Sequence, residues 1–103
     1  MAIKITYFVH GTTTKAILKK LQIIPGVGKR VSEDFYNLGI RRVVDLKNKN
    51  PEALYAKLCK LEKMHIDRCM LYVMRCAVYY AKGGRDIEGL KWWNWKDTKI
   101  TKR

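Results

Sequence analysis

Long apolar runs are absent from this 103-residue sequence. No stretch approaches the roughly 20 consecutive apolar residues that a membrane-spanning helix needs. The first residues, Met1-Ala2-Ile3-Lys4-Ile5, also lack the apolar core and the small-residue cleavage site of a secretory signal. We therefore expect a cytoplasmic protein that has no membrane partner.

Cysteine and histidine are scarce, which bears on disulfides and on metal sites. The three cysteines, Cys59, Cys69 and Cys76, are an odd number in apolar segments, a pattern more typical of a reducing compartment than of a disulfide framework. Together with His65 they lack the close Cys-x2-Cys pairing that is usual for zinc. We predict no metal site, and we expect Cys69 and Cys76 to be buried as small apolar residues on one helix face.

Motifs of catalysis are missing as well. The sequence contains no phosphate-binding loop and no dinucleotide fingerprint, and it places no nucleophile beside a histidine or a carboxylate. It therefore predicts a protein that is not an enzyme and that needs no cofactor.

Acidic residues are few compared with basic ones. Nine Asp and Glu stand against 22 Lys and Arg, which gives a formal net charge of +13. The 48% of hydrophobic residues supply the core of one small domain and leave no room for two. Such a charge on a small domain favours a polyanionic partner, chiefly nucleic acid.

Apolar periodicity and capping residues predict four helices, over about residues 15–24, 29–38, 51–61 and 68–81. The first of them would begin at Lys15, after a cap supplied by residues 12–14. The alternating segment at residues 3–9 predicts a short strand in front of the helices. The sequence thus divides into an N-terminal extension (1–14), a helical domain (15–97) and a basic tail (98–103).

Local signals predict where the helices begin and end. Asn50 followed by Pro51 predicts the N-cap of the third helix, and Asp67 predicts that of the fourth. Gly39 followed by the apolar Ile40 predicts a Schellman-type end for the second helix.

Spacing also predicts three surfaces of the later helices. The buried face of the third helix would comprise Leu54, Leu58 and Leu61. A basic stripe on the fourth helix would comprise Arg68, Arg75 and Lys82. A tryptophan cluster near the end would form a lid over the small core, since indoles bury large areas, with base stacking as the alternative: Trp92, Trp93 and Trp95.

The turn Pro25-Gly26-Val27-Gly28, between the first two helices, carries the clearest functional signal. Its glycines permit positive φ and a close approach of the backbone to a ligand. The N–H groups of Gly26, Gly28 and Lys29 would converge at the start of the second helix, where the helix dipole also attracts anions. The segment resembles the helix-hairpin-helix motif, which grips the DNA backbone without reading bases.

Basic residues around this turn complete the predicted site. Residues 15–49 carry nine Lys and Arg against three acids. The predicted phosphate-binding residues are Gly26, Val27, Gly28, Lys29, Arg30, Arg41 and Arg42. We expect DNA binding that is independent of sequence and weakens with salt. The alternative is an adaptor that binds a protein partner, because sterile-alpha-motif-like domains use the same helical layout.

A longer pattern resembles the bacterial pathogenicity-locus family, small helix-hairpin-helix proteins sometimes labelled mitomycin-resistance-like. In the first half the resemblance is carried by residues 24–28, 38–40, 44–46 and 50–52. In the second half it is carried by residues 67–69, 71–73, 77–80 and 90–97. It implies DNA binding and no established reaction. The predicted fold is therefore all-α, with four to five helices in a helix-hairpin-helix, SAM-like arrangement and a short extra N-terminal strand.

Two segments depart from the pattern of this family. The second turn, Leu61–Asp67, has no Pro-Gly-x-Gly, so we expect one intact phosphate clamp and one degenerate one. Residues 1–14 are extra, and residues 5–12 are similar to the first strand of histidine phosphatases, but Val9 stands where those enzymes need arginine. We interpret the extension as a leader or as a strand that pairs with a second subunit in a homodimer.

Overall fold

The computed structural model describes residues 11–97, with side chains from Thr14 onward. The four α-helices are α1 (Gly11–Leu21), α2 (Lys29–Asn37), α3 (Pro51–Glu62) and α4 (Cys69–Ala81). Three short 3₁₀-helices follow or separate them, at Val43–Leu46, Glu88–Leu90 and Trp92–Trp95. No strand occurs in this part of the chain, which confirms the all-α prediction there. The predicted strand at residues 3–9 and the basic tail at 98–103 lie outside the described residues.

Helix α1 begins at Gly11, earlier than the predicted start at Lys15. Thr14 belongs to the helix instead of its cap, and it is only 2% exposed. Its hydroxyl lies 3.3 Å from the hydroxyl of Tyr36 on α2. Because this buried pair holds the first turns of α1 against α2, the helix extends across the predicted boundary between residues 14 and 15.

Helix α1 packs against α2 and α3 packs against α4, around a shared apolar core. Helix α4 is the centre of the fold, because it contacts α3, the 3₁₀-helix Val43–Leu46 and both C-terminal 3₁₀-helices. The largest fully buried side chains include Phe35, Leu21, Ile24, Ile40, Leu46, Leu58, Leu71 and Met74.

The end of α2 follows the predicted Schellman geometry. Gly39 has a φ of +94°, and Ile40 donates its N–H to the carbonyl of Phe35 at 2.9 Å. Gly39 donates in turn to the carbonyl of Tyr36 at 3.0 Å. Ile40 is 1% exposed, so the turn that ends the helix also delivers an apolar side chain to the core.

The predicted N-cap at Asn50 is confirmed, whereas the N-cap of α4 is Arg68, one residue after the predicted Asp67. The Asn50 side chain accepts a hydrogen bond from the Ala53 N–H at 3.1 Å, with Pro51 in the first helical position. The Asp67 carboxylate accepts one from the Cys69 N–H at 2.9 Å. Both side chains therefore satisfy an N–H group that has no acceptor inside its helix.

Two side chains predicted to be buried are exposed instead. Leu61 shares the face of Leu54 on α3 but is 45% exposed, since every residue from 60 to 65 lies outside the core. Cys69 shares the face of Cys76 on α4 but is exposed at the first residue of the helix. The helical spacing of apolar residues locates the apolar face correctly in both helices. The core, however, does not extend to the end of that face.

The C-terminal segment lies over the helices, which confirms the lid prediction for two of the three tryptophans. Trp92 packs against the core. Trp95 donates its indole N–H to the carbonyl of Gly89 at 2.8 Å, and its ring lies 5.4 Å from that of Tyr79. The Tyr79 ring also lies where a Cβ on Gly84 or on Gly89 would overlap it. Trp93, in contrast, is 50% exposed.

Two of the three residues of the predicted basic stripe on α4 form ion pairs with the C-terminal segment. Arg68 binds the Asp97 carboxylate at 2.8 Å. Arg75 binds Asp97 at 2.9 Å, Glu52 at 2.8 Å and the carbonyl of Trp95 at 2.9 Å, and its side chain is 10% exposed. These pairs fasten the segment to α4 in place of presenting a cationic surface.

Candidate functional site

One buried side chain anchors the turn between α1 and α2 in the core. Val27 is 5% exposed, and its N–H donates to the carbonyl of Ile24 at 3.0 Å. Gly26 has a φ of +87°, a conformation that side chains other than glycine rarely adopt. Val27 of the predicted site is therefore an anchor in the core, and its N–H is already used.

The other N–H groups of the turn have no acceptor within residues 11–97. This holds for the three predicted donors, Gly26, Gly28 and Lys29, and these residues are exposed. Gly28 is the N-cap of α2 in an extended conformation, so the first N–H groups of the helix point away from its body. Nothing among the described residues lies within 4 Å of a Cβ built on Gly28.

Gly26 is more enclosed than Gly28. A Cβ built on Gly26 would lie 3.1 Å from Cδ1 of Trp92, so the C-terminal segment reaches the turn and covers one side of it. The open part of the turn is therefore the part formed by Gly28 and Lys29.

The two interhelical turns differ in the charge placed at the following helix. No acidic residue occupies the first turn of α2, and its N-cap glycine offers no side chain. At α4 the Asp67 carboxylate already accepts the Cys69 N–H, and this hydrogen bond is the main reason why the pKa of Asp67 lies below its ordinary value. The start of α4 thus carries its own anion, whereas the start of α2 carries none.

A basic groove of about 520 Å³ adjoins the start of α2. It is lined by Lys15, Ala16, Leu18, Lys19, Gln22 and Lys29. The Gln22 amide donates to the Ser32 hydroxyl at 3.3 Å, and that hydroxyl donates to the Lys29 carbonyl at 2.7 Å, so the groove wall is tied to α2.

Lys15 and Lys19 extend the predicted site onto α1. They were absent from the predicted phosphate-binding residues, although their spacing of four places both on one helix face. Their part in the groove depends on how α1 lies against α2, which the spacing alone does not contain.

Arg30 lies in the first turn of α2, beside the open turn. Its guanidinium is 78% exposed and lies 3.7 Å from the carboxylate of Asp34. Burial is the main cause that raises the pKa of Asp34, and the nearby Arg30 opposes that shift. Because the Arg30 side chain is exposed and its distance to Asp34 is long, it is able to reach a second anion.

Arg41 and Arg42 lie at the other end of α2, whose nine residues separate them from the turn by roughly 13 Å. Arg41 donates to the carbonyl of Tyr36 at 2.7 Å and lies 3.6 Å over the ring of the same residue. Arg42 pairs with Asp45 at 3.2 Å. The structure therefore brings Gly26, Gly28, Lys29 and Arg30 together and leaves these two arginines apart.

Asp45 is the acceptor that organises that distant end. It accepts the backbone N–H groups of Arg41 and Arg42, each at 3.0 Å. The hydrogen bond from Arg41 is the largest cause that lowers the pKa of Asp45. The two arginines thus contribute to the connection between α2 and the following 3₁₀-helix.

The described part of the chain contains neither a metal-binding cluster nor a membrane-spanning helix. Between residues 11 and 97, no group of three or more His, Cys, Asp or Glu side chains is placed to hold a metal ion. No helix in the same range is long and apolar enough to cross a membrane.

Comparison with known proteins gives two matches. The profile of a family described as "Pathogenicity locus" matches residues 14–101. A protein described as "Mitomycin resistance protein McrB", from Streptomyces lavendulae, is 27% identical over 75 residues, which cover 73% of this chain and 69% of that protein. No solved structure matches the chain.

Proposed function

The chain belongs to the pathogenicity-locus family, and we propose that it binds DNA without sequence specificity, by holding a backbone phosphate at the turn between α1 and α2. The observation that carries the proposal is the open start of α2. Gly28 and Lys29 expose N–H groups that have no acceptor in the described part of the chain. A helix start of this kind attracts phosphate through both its donors and its dipole.

In this proposal α1, the turn and α2 act as a helix-hairpin-helix unit. The pair α3 and α4 occupies the place of a second such unit, but Asp67 holds the position where a phosphate would bind. The protein would then contact one DNA strand at one clamp. The SAM-like arrangement and the N-terminal strand that joins two subunits stay predictions.

The lysines of the basic groove supply the electrostatic attraction. Lys15, Lys19 and Lys29 line the groove beside the turn, and Arg30 is exposed next to it. For about four phosphate contacts, the logarithm of the binding constant should fall with the logarithm of salt concentration with a slope of roughly −3.6. We leave Arg41 out of the contact set because its guanidinium is bound to the end of α2.

Gly28→Asp tests the clamp without disturbing the fold. The new carboxylate would accept the N–H groups of α2 and repel a phosphate from them. Asp is at least as good an N-cap as glycine, and the described residues leave open space for the side chain. We expect the melting temperature to be unchanged or higher, while the affinity for a duplex oligonucleotide falls about tenfold or more, which corresponds to about 1.4 kcal/mol.

Two matched variants separate the effect of the new negative charge from the effect of a side chain that occupies the N–H donors of α2. Gly28→Asn places a side chain of nearly the same shape on the same donors without charge, so its affinity should lie between that of Gly28→Asp and wild type. Lys57→Ala, on the exposed surface of α3, changes the net charge by the same single unit and should have the smallest effect. Wild-type affinity in Gly28→Asp across several salt concentrations would refute the clamp.

The alternative function is that of an adaptor for a protein partner. The observation that favours it is Ile23, which is 62% exposed two residues before the turn. Pull-down from a nuclease-treated extract distinguishes the two functions, because a partner bridged by DNA would be lost. Neither function requires a reaction or a cofactor, and a reducing cytoplasm would suit the three free thiols.

A further inference from the structure

Trp93 is the exposed member of the tryptophan cluster. Half of its surface is accessible, whereas Trp92 and Trp95 pack against the helices. Its ring meets the Trp92 ring edge to face, with centroids 5.8 Å apart. One side of the Trp93 indole is thus held by its neighbour, and the remainder is left open.

The exposed indole is connected to the turn by two consecutive contacts. Trp93 packs on Trp92, and Trp92 lies against Gly26 of the turn. Trp92 also packs against the core, which fixes this connection in place. Trp93 is therefore an exposed aromatic surface that is joined to the turn through Trp92.

The charges around Trp93 favour a polyanion. The nearest acids along the chain are already engaged by cations, Glu88 by Lys91 at 3.0 Å and Asp97 by Arg68 and Arg75. Lys96, three residues after Trp93, is exposed and has no acidic partner among residues 11–97. A nucleic-acid backbone would supply an anionic partner for this cation, which an apolar protein surface would not.

We propose that Trp93 stacks on an unpaired base of a DNA strand whose phosphate is held at the Gly28–Lys29 turn, so that the protein prefers single-stranded DNA to duplex. The inference rests on the proposed function. Base–aromatic stacking suits any base, because every base has a flat face. In a duplex those faces are covered by neighbouring bases, and only the backbone is available to the turn.

The test compares three oligonucleotides of equal length: a thymidine homopolymer, the same backbone without bases, and a duplex. We expect Trp93→Ala to weaken binding of the thymidine strand roughly 5- to 150-fold. Its affinity for the strand without bases and for the duplex should stay at the wild-type value. Trp93→Phe keeps an aromatic face and should retain most of the affinity for the thymidine strand.

Fluorescence gives a second, direct readout of the same contact. Binding of the thymidine strand should quench the indole emission of the wild-type protein, and the quenching should be largely lost in Trp93→Phe, where Trp92 and Trp95 remain. The strand without bases should cause little quenching in either protein.

The outcomes separate this inference from the proposed function. If Gly28→Asp weakens binding of all three oligonucleotides and Trp93→Ala weakens none, the stacking contact is overturned and the clamp stands. If Trp93→Ala weakens binding of the strand without bases as much as binding of the thymidine strand, the role of Trp93 is structural and the inference is overturned. If wild type binds none of the three, both proposals are overturned.

Discussion

Trp92 lies against Gly26, so the 3₁₀-helix Trp92–Trp95 is in contact with the turn between α1 and α2. A Cβ built on Gly26 would stand 3.1 Å from Cδ1 of Trp92, which is closer than side chains normally approach. The turn therefore needs glycine for two independent reasons, the positive φ of +87° and the proximity of the indole.

The loss of unfolding free energy on substitution of Gly26 should contain both contributions, the positive φ and the contact with Trp92. Gly39→Ala is the matched control, because Gly39 has a similar φ of +94° but no described atom lies within 4 Å of its Cβ position. We expect Gly39→Ala to lower the free energy of unfolding by about 1–2 kcal/mol from backbone strain alone. Gly26→Ala should cost more, since Trp92 must also move, and urea unfolding measures the difference. Equal losses of unfolding free energy in the two variants would show that Trp92 moves aside without an energetic cost.

Protonation of Asp97 should weaken the attachment of the C-terminal segment. Hydrogen bonds from Arg68 and Arg75 lower the pKa of Asp97 to about 2, from an ordinary value of 3.8. A carboxylate whose pKa is lowered by folding stabilises the protein above its unfolded pKa, and this contribution is lost as the pH falls through the folded pKa. Its loss should therefore occur between about pH 4 and pH 2.

Asp97→Asn isolates this carboxylate from the others. At neutral pH the variant should melt below wild type, and the gap should close as the pH approaches about 2. Glu62→Gln, at an exposed carboxylate on α3, should show no such closing gap. A constant difference between wild type and Asp97→Asn from neutral to acid pH would contradict the assignment.

Removal of the Asn50 side chain should destabilise α3 at its start. Asn50→Ala leaves the Ala53 N–H without its side-chain acceptor and should lower the free energy of unfolding by about 1 kcal/mol. Asn48→Ala removes an exposed amide two residues earlier and should change it by less than about 0.5 kcal/mol. Chemical denaturation of both variants provides the comparison, and equal effects would show that the cap contributes nothing.

The three thiols should react in order of their exposure. Cys69 is exposed, Cys59 is half-buried, and Cys76 is buried with a pKa that burial raises to about 11. Maleimide labelling followed by mass spectrometry should therefore modify Cys69 first and leave Cys76 intact until the protein unfolds. Cys69→Ser should remove the fast phase. Early labelling of Cys76 in the native protein would mean that α4 opens readily.

The features that the sequence predicts well are those that depend on neighbouring residues. Examples are the end of α2 at Gly39 and Ile40 and the cap at Asn50, each of which requires a few consecutive side chains and the adjacent backbone. These interactions are local, so the residue types specify them wherever the helix lies in the fold. The same holds for the positive φ at Gly26.

The errors arise where distant segments meet. The spacing of Leu61 and Cys69 gives the correct face, but only the packing of the pairs decides how far the core extends along it. Arg75 belongs to a network with Glu52 and Asp97, more than twenty residues away on either side. No local pattern indicates such a network.

The candidate site divides in the same way. Gly28 and Lys29 are found from the turn motif itself, because the start of a helix is a local feature. Lys15 and Lys19 join the site only through the docking of α1 on α2. Arg41 was placed in it from charge alone, although the nearby carbonyl of Tyr36 already binds its guanidinium.

Tyr79 fixes the register of the whole C-terminal segment. Its ring fills the space that a side chain on Gly84 or on Gly89 would need, so the chain crosses the ring at two points that admit only glycine. A slip of one residue forward or back would bring Arg85 and Leu90, or Glu88, onto the ring. The segment therefore cannot slide along the ring by one residue.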